Sequence, residues 1–490
     1  MKTIRNLVDS FSSVLKRPAI IYNGVTLNYD RFYHDICSIS NSILSYNVKE
    51  KPIMVVSNSK YEFIVGIYAI MYSGNIAVPL ANSTTPDELR DISNKIDSNL
   101  IICNDELILK GIQANYNNII KSSSNSTTKI KPKVSANTPC LILFTSGTSG
   151  EKKGTLLSHS NLIQTTNYIN IFMEVRDEIQ EYIMIPLFHS FGFARTRCVF
   201  IKHGTIVIDD GLFNPLLALK RMKRFKCNAF SGVPAVMAML IEYTGNKLKN
   251  IGGKIKYVEI GSAPMLLKNK QFLIEHLPNA RICMHYGLTE ASRNCFIEFR
   301  SEQKFLNSVG KNSPGVFVKI MDGNRELPAY KLGEIVVSGP NVAMGYYNDP
   351  KRTKEKFIAN WFYTGDLGYK DDDAYVYFHG RKDDIINVGG EKVAPTEIEN
   401  LIIKQNVISM DFCIVGIEDE KGIYGSIPVL CVKDQWYSKE DFIKLQETLT
   451  LSKIDDFKIP KKYFIIDDIP KTHNGKIQRN LIVNKISNNF

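Results

Sequence analysis

Short strand-like apolar runs alternate with helix-length amphipathic segments through most of this chain, and few folds accept that alternation. Pro52–Ser57 (PIMVVS), a helical pattern over Tyr61–Tyr72, a strand at Ile76–Leu80, a helix at Pro86–Asp97 and a strand at Leu100–Cys103 follow one another. Strands separated by helices form parallel βαβ units with buried sheets. The pattern resumes with a helix from Asn161, a strand near Tyr182–Ile185, a helix at Phe191–His203 and a strand at Thr205–Ile208. A helix at Leu216–Phe225, the run CNAFSGV and a helix at Ala235–Tyr243 come next, and YVEIGS and RICMHYG then frame another helix. Near the start, AIIYNGVTLNY reads as a hairpin leading into a helix that begins near Tyr29. From Val309 the texture changes to short strands with Gly-containing turns, as in KIMDGNREL and GEIVVSG. The expected fold class is α/β. A large N-terminal domain (1–383) carries mixed sheets, helices and a β-rich subdomain, and a small α+β C-terminal domain (384–490) follows. At 490 residues the chain exceeds what one core can serve, which fits two domains.

The formal charge of +11 raises nucleic acid as a partner, but the lysines are dispersed among Asp and Glu and no recognition motif accompanies them. No nucleic-acid partner is expected. The nine cysteines form no C-x-x-C pair, which suits reduced thiols in a cytoplasmic protein. The N-terminus lacks the apolar core of a signal peptide. The most apolar window, Phe63–Ala81, is interrupted by Ser73, Gly74, Asn75 and Pro79, so no membrane span is expected.

A run of small residues interrupts the alternation. Seven of the ten residues from Thr145 to Gly154 are Gly, Ser or Thr, and they follow the apolar stretch Cys140–Phe144. Small residues let a backbone wrap closely around an anion, and their N–H and hydroxyl groups can donate to phosphate oxygens. Lys152 and Lys153 add positive charge. The spacing is not that of the P-loop, because no Gly-Lys-Ser/Thr follows Gly147 at the required distance. A flexible linker is the alternative, although linkers rarely lie between two strand-like runs.

Further clusters follow in order: FHSFGF (Phe188–Phe193), GSAP (Gly261–Pro264), YGLTE (Tyr286–Glu290) and YTGDLG (Tyr363–Gly368). GRKDDIINVGGEKVAPTEIE (Gly380–Glu399) and IPKTHNGKIQRN (Ile469–Asn480) complete the series. Together with the Gly/Ser/Thr run, they make the chain resemble the adenylate-forming superfamily of acyl-CoA synthetases, firefly luciferase and peptide-synthetase adenylation domains. The resemblance extends from about Ile20 to Asn480. It implies a large domain, a small mobile C-terminal domain and two half-reactions. A carboxylate and ATP give an acyl-adenylate and pyrophosphate, and a thiol then captures the acyl group. Cations must neutralise the in-line transition state and the departing pyrophosphate, which explains the lysines and the requirement for Mg²⁺.

The resemblance implies these roles. Thr145, Ser146, Gly147, Thr148, Ser149 and Lys153 hold the β- and γ-phosphates, and Lys152 replaces the usual proline. Glu290 ligates Mg²⁺, and Thr289 stands beside the phosphates. Tyr286 stacks on adenine next to Gly287 and the backbone of Gly261, Ser262 and Ala263. Asp366 accepts hydrogen bonds from the ribose diol, assisted by Arg381, and Lys392 contacts phosphate. Asp383 is the hinge about which the C-terminal domain turns. Lys476 bridges carboxylate and α-phosphate during adenylation. Gly389 and Gly390 leave room for a pantetheine arm in the second half-reaction. Thr396 and Glu399 read as a capping box for the helix that follows.

The acid itself is less legible. His189 stands where amino-acid-activating relatives carry Asp, so an α-amino acid is disfavoured and His189 is expected to line the carboxylate end of the pocket. His285, before Tyr286, replaces the glycine that often opens onto the acyl tunnel, and Arg293 stands where relatives have small or apolar residues. Arg195 and Arg197 occupy a helix expected to be apolar, so each needs a structural carboxylate or a polar group on the substrate as partner. A small carboxylic acid is therefore expected instead of a long plain fatty acid. The acceptor is CoA, or alternatively the phosphopantetheine of a separate carrier protein. A non-catalytic nucleotide-binding protein of the same fold would have lost Lys476, Glu290 or the phosphate loop, and all are present.

Overall fold

The computed structural model describes all 490 residues except 99, 104–132, 147–151, 177, 212, 406–407, 409–410, 421–422, 434–436, 472–476 and 488–490. The tract 121–133, rich in Ser, Asn and Thr and expected to form a surface loop, therefore lies almost wholly outside the described residues. Contacts divide the chain into two compact units, Met1–Val318 with Val337–Phe362 and Lys319–Val336 with Tyr363–Phe490.

The first unit is built on two sheets. A nine-stranded sheet runs, edge to edge, through Lys311–Asn312, Cys295–Glu298, Arg281–Tyr286, Tyr257–Gly261, Ala229–Gly232, Gln180–Ile183, Thr205–Ile208, Pro18–Tyr22 and Val25–Asn28. Its middle strands pair in parallel, as the strand–helix alternation requires. All five residues of Tyr257–Gly261 are buried, including Glu259. The edge hairpin turns at Asn23 (φ 50°) and Gly24 (φ 86°), the two left-handed positions that a two-residue turn between twisted strands demands.

The six-stranded sheet runs Gly345–Tyr346, Lys152–Ser158, Pro139–Ser146, Ile76–Pro79, Pro52–Val56 and Ile101–Cys103. Helices start where the sequence offers caps. Asn28 accepts from Arg31 N ahead of Tyr29–Ser45, and Thr85 and Glu88 form a capping box with Pro86 in the first turn. Ser158 and Asn161 cap His159–Phe172 in the same reciprocal way. Aromatic rings of Phe11, Tyr29, Phe32, Tyr68 and Phe200 interlock in the core beneath these helices.

In the second unit Asp366 pairs with Arg381 across an antiparallel ladder formed by Trp361–Lys370 and Val376–Arg381. A three-stranded sheet of Phe412–Glu418, Ser426–Val432 and Lys462–Ile465 is backed by the helices Pro395–Gln405 and Lys439–Leu451 around Ile398, Ile402, Leu430 and Leu445. The capping box expected of Thr396 and Glu399 does not form. Pro395 already opens the helix, the Thr396 hydroxyl donates to the His379 carbonyl, and Glu399 accepts from Ile414 N and Arg479.

Candidate active site

Strands Pro139–Ser146 and Lys152–Ser158 are antiparallel, with Thr145 opposite Lys153 and Ser146 opposite Lys152. The two ends of the Gly/Ser/Thr run are thus paired within the six-stranded sheet. Gly147, Thr148 and Ser149 lie outside the described residues. Lys152 Nζ donates to Glu88 Oε1 at 2.6 Å.

Parallel register brings GSAP and YGLTE together. Gly261 is the partner of His285, and a Cβ on Gly261 would lie about 2.1 Å from the His285 ring, so glycine is required for the imidazole to lie over this strand end. Ser262 then takes φ 80°, a left-handed conformation that costs a non-glycine residue energy. Beyond Tyr286 the chain folds back on itself, with Asn294 N donating to Tyr286 O and Leu288 N to Ala291 O. Gly287 has the Arg293 amide in the space a Cβ would need, and this tight loop displays Thr289 and Glu290. The carboxyl ends of parallel strands are where open α/β sheets bind ligands.

Glu290 Oε1 accepts from the Tyr346 hydroxyl at 2.8 Å, which fixes the carboxylate. Among the described residues no group of three His, Cys, Asp or Glu side chains could hold a metal. One carboxylate is nevertheless an adequate protein ligand for Mg²⁺, which takes its remaining oxygens from phosphates and water. His189 ends the loop before the helix Ser190–Phe200, with its ring against Phe188.

The arginines that looked misplaced in that helix are buried in the first unit. Arg195 makes a bidentate pair with Glu181 (2.8 and 2.5 Å), reaches Glu259 at 2.8 Å and donates to the Tyr257 hydroxyl at 2.9 Å. Glu259 also receives Arg293 at 3.1 Å and lies 2.8 Å from His285 Nδ1. Burial opposes its ionisation, but Arg293, Arg195 and His285 hold the Glu259 carboxyl well below the usual range. Arg197 is different. Among the described residues its one hydrogen-bond partner is Thr166 Oγ1 at 3.2 Å, and its guanidinium lies over the Phe193 ring. Burial lowers it to about 10. Sequence spacing signalled these arginines as needing partners, but Glu181 and Glu259 sit in strands that read as plain apolar core.

Two buried imidazoles set an acid limit. Burial lowers both His159 and His285 to about 4, with Arg293 adding to the effect at His285. His159 Nδ1 accepts from Ile4 N, as a neutral ring must. The unfolded chain takes up these protons near pH 6.5, so the stabilisation is complete above that value and is lost as pH falls toward about 4. Urea midpoints should fall between pH 7.5 and 5 by an amount equivalent to about 2 kcal/mol per ring, and His159→Gln should reduce the dependence.

In the second unit Asp366 is nearly fully buried and its Oδ1 accepts from Arg381 Nη1 at 2.6 Å. A carboxylate retains acceptor sites beyond such a pair. Asp383 lies in the short turn Lys382–Asp384. Gly389 (φ 61°) and Gly390 (φ 98°) form the two-residue turn between Ile386–Val388 and Glu391–Val393, so backbone geometry alone requires glycine there. Lys392 is exposed on the second of these strands. Lys476 lies outside the described residues. Its flanks are pinned by a Lys471–Ile477 bridge, a Gln478 N to Pro470 O bond and the pairing of Arg479 with Glu399 at 2.6 Å.

With this geometry in hand, similarity to known proteins is informative. Residues 11–347 match the AMP-binding enzyme family. An oxalate–CoA ligase of Saccharomyces cerevisiae is 31% identical over 346 residues, covering 70% of this chain and 62% of that protein. An oxalate–CoA ligase of Arabidopsis thaliana is 27% identical over 485 residues, covering 92% and 91%. In fold, the chain superposes on o-succinylbenzoate CoA synthetase from Bacillus subtilis, solved with its acyl-adenylate intermediate, at a TM-score of 0.87 and 22% identity over 97% of each chain. The chain belongs to the AMP-binding enzyme family, within the adenylate-forming superfamily. It is an enzyme of this family; the Bacillus subtilis synthetase, 22% identical, has also been solved in complex with ATP and a magnesium ion. Among the described residues no helix is long and apolar enough to cross a membrane.

Proposed function

We propose that the protein activates a short or polar carboxylic acid as its acyl-adenylate and passes the acyl group to CoA. The observation that carries this is the pairing of Gly261 with His285, which sets an imidazole over the strand end beside Tyr286 where a long acyl tunnel would need open space. Two curated relatives being oxalate–CoA ligases supports a small acid and CoA as acceptor.

The residue roles follow the motifs. Thr145, Ser146, Gly147, Thr148, Ser149 and Lys153 take the phosphates, and Glu290 takes Mg²⁺ with Thr289 beside it. Gly261, Ser262, Ala263, Tyr286 and Gly287 serve the adenine, Asp366 and Arg381 the ribose, and Lys392 a phosphate. His189, His285 and Arg293 bound the acid. Residues 384–490 form the mobile domain that turns at Asp383, bringing Lys476 for adenylation and Gly389–Gly390 for thiol capture. Bound ATP supplies the electrophilic phosphorus. The chain's own residues orient the carboxylate and neutralise charge.

Pyrophosphate release with ATP, Mg²⁺ and a panel of short, long, hydroxy, aryl and amino acids tests the proposal. The expected result is release with short or polar acids, accelerated by CoA. Robust turnover of palmitate with none for short acids would overturn it, and release unaffected by CoA would point to a carrier protein as acceptor. Asp366→Asn should raise the KM for ATP by about tenfold, the scale of one charge-assisted hydrogen bond, as read from initial rates at saturating acid.

A further inference from the structure

The buried cluster around Glu259 does not balance its charges. Arg195, Arg197 and Arg293 contribute three positive charges, each at 3% exposure or less, and Glu181 and Glu259 two negative ones. Burial lowers His285 to about 4, so it adds none at neutral pH. Among the described residues Tyr68, Tyr168, Tyr257, Cys140 and Cys198 also act on these arginines, all pushed up by burial and therefore neutral. Among the described residues no carboxylate pairs with Arg197. One positive charge is left over in a dry interior, where an uncompensated ion is costly.

Arg197 is near enough to Arg293 for the two charges to repel, and Arg293 is the end of the cluster beside the candidate acid pocket. Arg293 Nη1 donates to Ser292 Oγ at 3.0 Å, Ser190 Oγ lies 3.5 Å from Ser292 Oγ, and Phe191 lies against both Arg293 and His285. Ser190 and Ser292 are only partly buried, and His285 is 8% exposed, so the cluster reaches the surface at this rim. Ser190 follows His189, and His285 precedes Tyr286.

We infer that the acid activated here is a short dicarboxylate. One carboxylate attacks ATP, and the other is held at the Ser190–Ser292–His285 rim by the excess positive charge of the arginine cluster, with Arg197 supplying the surplus. This rests on the site being the carboxylate-activating pocket proposed above. The rim also limits length, because its floor is already occupied by the Arg195–Glu259–Arg293 pairs.

Matched pairs of acids test it: malonate against propionate, and succinate against butyrate. The readout is kcat/KM for pyrophosphate release by wild type, Arg197→Met and Arg197→Lys. Wild type should favour the diacid at least tenfold. Arg197→Met should lower the diacid-to-monoacid ratio at least tenfold, and Arg197→Lys should retain most of it. A general loss of folding would scale both acids together, and melting temperatures check that Arg197→Met is folded. Equal or better turnover of the monoacids by wild type overturns the inference while leaving acid activation intact, and an unchanged ratio in Arg197→Met overturns the assignment to this cluster. No release from any acid would instead refute the underlying proposal.

Discussion

Replacing Arg195 with methionine should destabilise the first unit by about 3–5 kcal/mol, the range for removing one partner from a buried ion network. The guanidinium is fully buried and occupies both oxygens of Glu181, one oxygen of Glu259 and the Tyr257 hydroxyl. Its loss leaves two carboxylates in a sheet interior with fewer counter-charges. Glu259 keeps Arg293 and His285, but Glu181 keeps only the Tyr257 hydroxyl among the partners described. Arg197→Met, two residues along the same helix, should be neutral or stabilising, because it removes a charge with no ion pair among the described residues. Urea unfolding of both variants at neutral pH checks the contrast. Equal losses would mean that Arg197 has a counter-charge of its own.

Lys476→Ala should divide the two half-reactions. Removing one cation from the developing charge at phosphorus costs about 10²–10³-fold in adenylation, whereas transfer of a supplied acyl-adenylate to CoA should stay within a few fold of wild type. The flanking architecture favours a specific effect. Arg479 is held by Glu399, Asp384 and the Ile414 carbonyl. Equal loss in both half-reactions would refute the division of labour between Lys476 and the Gly389–Gly390 turn.

Much of the fold was legible because strand and helix periodicities differ and the caps were explicit. The helix expected at Pro86 begins there behind Thr85 and Glu88, whereas the one expected from Asn161 begins at His159, because Ser158 and Asn161 are its cap and not its first turn. Thr396 misled because a Ser/Thr-x-x-Glu spacing looks the same whether its members cap a helix or bind distant partners. Only the fold shows that Glu399 turns toward Arg479. The pairing of Gly261 with His285 was similarly hidden, since register between parallel strands depends on long-range pairing. Tyr346, which fixes Glu290, carries no signal of its own at 56 residues' separation. Glu181 and Glu259 were hidden for a different reason. A lone Glu in a short apolar strand normally marks a solvent-facing position, and only Arg195 from the helix Ser190–Phe200, with Arg293 from the loop after Tyr286 at Glu259, makes the burial tolerable.

The most direct test of acyl-adenylate formation is the fate of carboxylate oxygen. With an acid labelled with ¹⁸O in its carboxyl group, plus ATP, Mg²⁺ and CoA, one labelled oxygen should appear in AMP and none in pyrophosphate. Attack of the carboxylate at the α-phosphorus, followed by thiol capture at the acyl carbon, leaves the bridging oxygen with the nucleotide. Label in inorganic phosphate, or unlabelled AMP, would contradict acyl-adenylate chemistry in this protein.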